Sequence, residues 1–215
     1  MPLAGVRQVD VGVVDIKIPE VPNACVAVVP VSYNPQVSYG LIVYLPAPGK
    51  FDRDELVDRW KELGEASDLI VLAPQPKSDK QWTRTEVEFI RKPVDQAIAT
   101  YNIDPTRVVV YGHQAGGAMA YLTAFQSPEL FSGVIAVDAG LPARMQLPDN
   151  GPISRIAIYT TLVKSSRLAE RVNQGIEKFR EMKYPVTVKE VPLPRDLNED
   201  EIDELARWID ALDRI

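Results

Sequence analysis

Residues 107–125 read RVVVYGHQAGGAMAYLTAF, and this stretch decides the fold. The β-branched run at 108–110 predicts a buried strand, and the small residues that follow Gln114 predict a helix that begins at once. Between them, GHQAG has the glycine spacing of G-x-S-x-G, a sharp turn that presents a serine nucleophile between a strand and a helix. Gln114 stands where that motif has serine. The stretch therefore predicts the turn and leaves its chemistry in question.

Strand and helix patterns alternate along the rest of the chain, which indicates an α/β fold. Helices of this length between strands favour right-handed crossovers and a mostly parallel, twisted sheet of about eight strands with helices on both faces. The first two strands have no helix between them, so we expect an antiparallel edge. Strands are predicted at 9–17, 24–33, 39–45, 68–73, 107–111, 132–138, 153–160 and 186–191, and helices at 51–66, 87–101, directly after Gln114, 166–183 and 199–213.

Several of these helices carry local signals at defined positions. Asp52 is well placed to cap the first helix, and Asn198, with Glu201 three residues later, has the spacing of a capping box at the last. Pro93 lies inside the second helix, where it lacks an N–H and its ring crowds the preceding turn. We therefore expect Pro93 to kink that helix or to end its first half.

The length and composition indicate one domain. The chain has 215 residues, of which 46% are hydrophobic and 25% charged, enough for one substantial core. No repeat, low-complexity tract or internal linker divides it, so residues 1–215 are expected to form a single domain. The start, MPLAGVRQ, lacks the basic front and apolar middle of a signal peptide.

The charge and the scarcity of ligating residues restrict the partners. A net charge of −6 offers no basic stripe for phosphates, which argues against nucleic acid. No apolar run approaches the roughly 18 residues of a membrane span. The single histidine and the single cysteine, Cys25, are too few for a zinc site and exclude an intrachain disulfide. We expect no metal and no cofactor, and a small ligand, a protein partner or a neighbouring domain of unknown identity as the partner.

Three segments carry a resemblance to a known family. They are YNIDPTRVVVYGHQAGGAMAYLTA at 101–124, YGLIVYLPAPG at 39–49 and DLIVLAPQP at 68–76. Together they resemble the α/β-hydrolase fold, and most closely bacterial esterases of the feruloyl-esterase and polyhydroxyalkanoate-depolymerase type. The resemblance covers roughly residues 24–213. It implies an oxyanion strand at 39–45 and a nucleophile turn at Gln114.

Related domains also occur at the C-terminus of secreted bacterial trypsin-like proteases with PDZ modules. The resemblance thus leaves open whether this chain is a complete protein or a domain of a longer one. Localisation stays open with it: periplasmic or secreted if the chain is part of such a protease, and cytoplasmic otherwise.

The resemblance implies a serine, a histidine and an acid, and the sequence lacks the first two at the required places. The carboxamide of Gln114 cannot be activated as a nucleophile. The chain's only histidine, His113, precedes Gln114 directly, so its side chain is expected to point elsewhere and to pack or hydrogen-bond beside the turn, with a ligand contact as the alternative. The segment after strand 186–191, where the family has its histidine, reads PLPRD.

The acid and the oxyanion hole are incomplete as well. Asp138 ends the strand before the family's usual acid position, and it is either an acid or a residue that caps its loop. The first oxyanion donor would be the N–H of Ala115. The second would come from the loop at 46–49, where only Ala47 and Gly49 have an N–H to offer.

Trp82 lies among charged residues in QPKSDKQWTRTE, at 75–86. If the Trp82 side chain is exposed, it forms part of a binding surface. If it lies under its loop, its role is to pack against the core.

These features favour a pseudo-hydrolase: a domain that keeps the fold, has lost catalysis and binds a ligand or a protein. Its contact region is expected to be the crevice at the carboxyl ends of the strands, lined by Gln114, Asp138 and the loop at 46–49. One alternative is an atypical esterase or peptidase that uses groups not identified in the sequence. The other is an accessory domain of a secreted serine protease.

Overall fold

The structure is a computed structural model that describes residues 9–18, 23–151 and 155–214. This part of the chain contains eight strands and five α-helices. The strands are β1 Gly12–Ile16, β2 Cys25–Val29, β3 Tyr39–Leu45, β4 Leu69–Pro74, β5 Ile103–His113, β6 Gly133–Val137, β7 Ala157–Leu162 and β8 Val186–Glu190. The helices are α1 Arg53–Ser67, α2 Val87–Thr100, α3 Ala115–Gln126, α4 Ala169–Glu181 and α5 Glu199–Asp210.

The strands form one sheet in the order β1-β2-β4-β3-β5-β6-β7-β8. β2 pairs antiparallel with β1 and with β4, and every other pairing is parallel. The predicted mostly parallel sheet of eight strands with an antiparallel edge is therefore confirmed. Because the carboxyl ends of β3, β5 and β6 lie side by side, the loops that follow them meet at one edge of the sheet.

Helices cover both faces of the sheet. On one face, α2 and α3 pack against strand residues such as Val43, Val110 and Val134. On the other, α1 and α5 enclose a second core around Trp60, which is fully buried. The structure thus has the three-layer architecture expected from the sequence, and it positions α3 directly behind the turn at Gln114. Among the described helices, none has the length and apolar character needed to cross a bilayer.

The helix-start signals are confirmed. Asp52 accepts a hydrogen bond from the N–H of Glu55 at 3.0 Å at the start of α1. At the start of α5, Asn198 Oδ1 accepts from the N–H of Glu201 at 3.0 Å, and the Glu201 carboxylate accepts from the N–H of Asn198 at 2.9 Å. The side chains satisfy backbone donors that no helical carbonyl can reach, which fixes where each helix begins.

The expectation that Pro93 ends the first half of its helix is wrong. α2 runs from Val87 to Thr100 with Pro93 inside it, and Pro93 is buried. Its neighbours Ile90 and Val94 are fully buried in the core. Packing on both sides of Pro93 holds the helix together across the missing backbone hydrogen bond, as tertiary contacts often override local propensity.

Some strand boundaries differ from the prediction for local reasons. The strand expected at 24–33 ends at Val29, because Pro30 opens a turn in which its carbonyl accepts from the N–H of Tyr33 at 3.1 Å. The strand expected at 153–160 begins at Ala157, and positions 153 and 154 lie outside the described residues. The strand expected at 107–111 is longer, from Ile103 to His113, and its register with β3 shifts once.

Candidate functional site

The turn between β5 and α3 forms the centre of the candidate site. Gln114 has φ 50° and ψ −111°, a backbone conformation that residues other than glycine seldom adopt. Its N–H donates to the carbonyl of Val137 on β6 at 2.9 Å, which ties the turn to the neighbouring strand. α3 begins with the next residue, Ala115. The side chain of Gln114 is exposed, at the position where the resemblance implies the nucleophile.

The tight turn depends on a close approach between α3 and β3. A Cβ atom added to Gly116 would lie 2.0 Å from the carbonyl oxygen of Leu45, well inside van der Waals contact. Leu45 pairs with Gly112 in the sheet, so the end of β3 lies directly against the turn. Packing therefore requires glycine at 116, whatever residue occupies position 114.

A chain of hydrogen bonds connects Gln114 to the loop after β7. Gln114 Nε2 donates to Asp138 Oδ2 at 3.2 Å, and Ser166 Oγ donates to Asp138 Oδ1 at 3.0 Å. The backbone N–H of Asp138 donates to Thr161 Oγ1 at 2.8 Å. Asp138 is 3% exposed and has φ 45°. The structure thus brings Gln114 and Asp138 together and adds Ser166 and Thr161, two hydroxyls with no motif in the sequence to mark them.

His113 lies beside this chain of hydrogen bonds without joining it. The residue is half-buried at the end of β5, and within the described part of the chain its buried Nε2 atom has no hydrogen-bond partner. A buried polar atom without a partner costs about 1–3 kcal/mol in free energy of folding. The structure therefore places His113 beside the turn, with its Nε2 atom unbonded among the described residues.

The loop after β8, where the resemblance implies a histidine, is attached elsewhere. Asp196 accepts a hydrogen bond from the hydroxyl of Tyr111, and Arg59 Nη2 lies 3.4 Å from the same carboxylate. Arg59 also donates to the carbonyl of Leu197 at 2.9 Å. Burial and the charge of Asp196 together raise the pKa of Tyr111 well above its usual value. These contacts hold the loop against α1, on the face of the sheet opposite α3.

The loop after β3 forms a tight turn beside the start of α3. The N–H of Lys50 donates to the carbonyl of Ala47 at 3.0 Å, with Pro48 and Gly49 at the two central positions. Gly49 has φ 70°, as the third residue of a type II turn requires. Ala47 is half-buried and Gly49 is exposed. As the first residue of α3, Ala115 has an N–H without a partner inside the helix.

Trp82 covers the loop at 46–49 from one side. Its indole Nε1 donates to the carbonyl of Pro46 at 2.9 Å, and its ring is half-buried against the core. Trp82 is thus neither fully exposed nor fully buried, and it keeps features of both alternatives.

Glu86 organises the segment that carries Trp82. Its Oε1 accepts from the N–H of Lys77 at 2.7 Å and from Asn23 Nδ2 at 3.1 Å. Its Oε2 accepts from the N–H of Thr83 at 2.7 Å and from the Thr83 hydroxyl at 2.8 Å. Burial opposes ionisation of Glu86, yet these hydrogen bonds outweigh it and lower its pKa. A buried, ionised carboxylate therefore fixes the position of residues 77–86.

The described residues contain no group of three or more His, Cys, Asp or Glu side chains placed to hold a metal ion.

Sequence comparison relates the central part of the chain to hydrolases. Residues 76–150, which include Trp82, Gln114 and Asp138, match the model of the prolyl oligopeptidase family. A stretch of 105 residues is 31% identical to NocK, a proposed esterase of Nocardia uniformis subsp. tsuyamanensis. This match covers 48% of the chain and 28% of NocK, so the chain spans only part of the length of that relative.

Solved structures share the whole fold. A thermostable esterase superposes with a TM-score of 0.67 at 21% identity, over 94% of this chain and 59% of that one. The Francisella virulence factor BioJ superposes with a TM-score of 0.72 at 11% identity, over 95% of this chain and 86% of BioJ. A ferulic acid esterase superposes with a TM-score of 0.67 at 14% identity, over 88% of this chain and 92% of the esterase. At these identities the superpositions show the fold and leave the activity undecided.

Proposed function

We propose that this protein of the α/β-hydrolase superfamily is a pseudo-hydrolase, which binds a ligand or a protein at its former active-site crevice without hydrolysing it. The observation that carries the proposal is the hydrogen bond between Gln114 and Asp138. A carboxamide occupies the nucleophile position, and its partner is the carboxylate that could otherwise orient a base. The only histidine of the chain precedes Gln114 directly, and among the described residues the hydrogen-bond partners of Asp138 are Gln114, Ser166 and Thr161.

The amide of Gln114 suits recognition. It has two N–H donors and a carbonyl acceptor, and Asp138 uses one of the donors. One donor and the acceptor remain for a ligand, and the N–H of Ala115 lies at the next position. A carbonyl-containing ligand would pair with the remaining amide donor.

The alternative function is hydrolysis of an ester or peptide by other groups, either by this chain or by a longer protein of which it is a domain. The match of residues 76–150 to the prolyl oligopeptidase family favours this alternative. Ser166 is the hydroxyl to test, because it already donates to Asp138 at 3.0 Å. An accessory role in a secreted serine protease rests on the sequence resemblance alone.

Hydrolysis of 4-nitrophenyl acetate by the purified chain separates the two functions. We expect no turnover by the wild type, by Gln114→Ser or by Ser166→Ala above that of the heat-unfolded chain, because a serine at 114 still lacks a base. The fold of each variant is checked by circular dichroism.

Turnover by the wild type that disappears in Ser166→Ala or Gln114→Ala would contradict the proposal and support hydrolysis. For binding, titration with acetanilide is expected to shift the backbone NMR signals of Gln114 and Ala115. Loss of those shifts in Gln114→Ala would confirm the amide contact, and shifts unchanged by the substitution would contradict it.

A further inference from the structure

A concave surface lies between the loop after β6 and helix α4. Its cavity of about 490 Å³ is lined by loop residues 141–145 and by the face of α4 that carries Arg171 and Lys178. The loop begins directly after Asp138, and Arg167 follows Ser166. The cavity therefore neighbours the Gln114–Asp138–Ser166 chain, but none of those three residues lines it.

The charge of this cavity is opposite to that of the protein. Arg144, Arg167, Arg171 and Lys178 line it together with one carboxylate, Glu170. The whole chain carries 24 basic and 30 acidic residues, so a cavity with four cations and one anion stands out from its surroundings. Such a concentration of one sign in a concave surface attracts ligands of the other sign.

None of the four cations has a carboxylate partner within the described residues. Arg171 Nε donates to the carbonyl of Leu141 at 3.0 Å, and Lys178 Nζ donates to the carbonyl of Met145 at 3.0 Å. These two bonds hold the side chains along the wall of the cavity. Glu170 accepts from Gln174 at 3.3 Å and leaves the arginines unneutralised.

Arg144 and Arg167 are the other two cations of the cavity. In the part of the chain that the structure describes, the guanidinium groups of Arg144 and Arg167 have neither an ion pair nor a hydrogen bond, and both residues are exposed. Arg144 also has φ 59°, which is strained for a residue other than glycine. Such strain is retained where the surrounding structure or a function requires it.

The other half of the cavity is apolar, formed by Leu141, Pro142, Ala143 and Met145. Guanidinium groups match the geometry of carboxylates and phosphates, which they bind with two parallel hydrogen bonds. We propose that this cavity binds an organic oxyanion, a carboxylate or a phosphate carried on an apolar body, with Arg144 and Arg167 contacting the anion and Leu141 and Met145 the body. This site is additional to the crevice and does not depend on the proposed function.

Calorimetric titration of the full chain with three probes tests this site. 3-Phenylpropionate and phenyl phosphate share an apolar ring and differ in the oxyanion, and 3-phenylpropionamide is the neutral control. We expect at least one anion to bind tenfold more tightly than the amide, and the tighter of the two is the oxyanion that the cavity prefers. Equal binding of the amide and both anions would overturn the proposal.

Variants locate the binding. Arg144→Gln and Arg167→Gln are each expected to weaken binding of the anion about tenfold, the loss of one charge-assisted contact. Glu170→Gln, which removes the only carboxylate of the cavity, is expected to strengthen it. Arg180→Gln removes the same charge from an exposed position of α4 outside the cavity and is expected to change the affinity less than twofold. A loss in Arg180→Gln equal to that in Arg144→Gln would show a general charge effect and contradict the assigned site.

Discussion

At the scale of single residues, the backbone of Gln114 is the most informative feature of the molecule. Its φ of 50° and ψ of −111° are costly for a residue with a Cβ atom, about 1–3 kcal/mol. Three contacts hold it there: the hydrogen bond to Val137, the bond from Nε2 to Asp138 and the close packing of Gly116 on Leu45. The turn keeps the conformation that would display a nucleophile even though an amide occupies the position.

The strain can be measured by two substitutions that remove the same amide. Gln114→Ala keeps the Cβ atom in the unfavourable conformation, whereas Gln114→Gly removes it. We expect the glycine variant to be more stable than the alanine variant by about 1 kcal/mol, although glycine elsewhere lowers stability by a similar amount. Urea denaturation of both variants gives the difference. Greater stability of the alanine variant would mean that the turn relaxes when the side chain is shortened.

The sequence predicts the residues of the turn but not all their partners. The glycine spacing around Gln114 is a local signal, because the turn needs small residues at fixed positions. Ser166 lies 28 residues from Asp138, in a loop whose composition carries no sign of the contact. Arg167, Arg171, Gln174 and Lys178 recur every three or four residues, which does predict one face of a helix. Only the fold shows that this face meets the loop after β6.

At the scale of elements, local capping residues determine where helices α1 and α5 begin, and packing against the core keeps α2 continuous. Asp52 and Asn198 cap α1 and α5 as their sequence patterns predict. Pro93 contradicts its local pattern, since the core on both sides keeps α2 continuous. The segment at 77–86 has neither a strong helical nor a strand pattern, and the buried carboxylate of Glu86 determines its course. Thr83 and Glu86 have the spacing of a capping box, which the sequence does indicate, whereas Asn23 lies 63 residues from Glu86 and its contact depends on the fold.

Glu86 makes this segment sensitive to pH. The pKa of Glu86 is lower in the folded chain than in the unfolded chain, so ionisation of this carboxylate stabilises the fold. The stabilisation is complete at pH values above the unfolded pKa of about 4.3. It is lost as the pH falls through the lower pKa of the folded chain. Glu86→Gln has one acceptor oxygen where two are used, so we expect a loss of about 2 kcal/mol at pH 7. The difference from wild type should shrink below pH 4.

Guanidinium denaturation at pH 7 and at pH 3.5 measures both effects. Glu88→Gln is the matched control, because Glu88 is an exposed neighbour at the start of α2. We expect it to change the stability by less than about 0.5 kcal/mol. A pH-independent difference between Glu86→Gln and wild type would contradict the ionised state of Glu86.

At the scale of the whole molecule, β2 lies between β1 and β4 and carries the only cysteine. Burial raises the pKa of Cys25 to about 12, and the thiol is 2% exposed. At pH 8 the thiolate, which is the reactive form, would amount to about one part in ten thousand. Reaction of this thiol therefore requires the sheet to open.

We expect Ellman's reagent at pH 8 to leave the native protein unlabelled over the time in which the unfolded chain reacts completely. Ser165→Cys adds a thiol at an exposed position and serves as the control: one equivalent should react rapidly and the second only on unfolding. Rapid reaction of both thiols in the folded protein would show that β2 opens locally, independently of the rest of the sheet.

The packing of Gly116 against Leu45 also has a consequence for how such proteins are recognised in genomes. The glycine is required by the contact between a helix and a strand, whatever the chain does chemically. A search that relies on the glycines of this turn therefore selects proteins by their fold. Position 114 lies outside that contact, so the reaction has to be tested there separately from the fold.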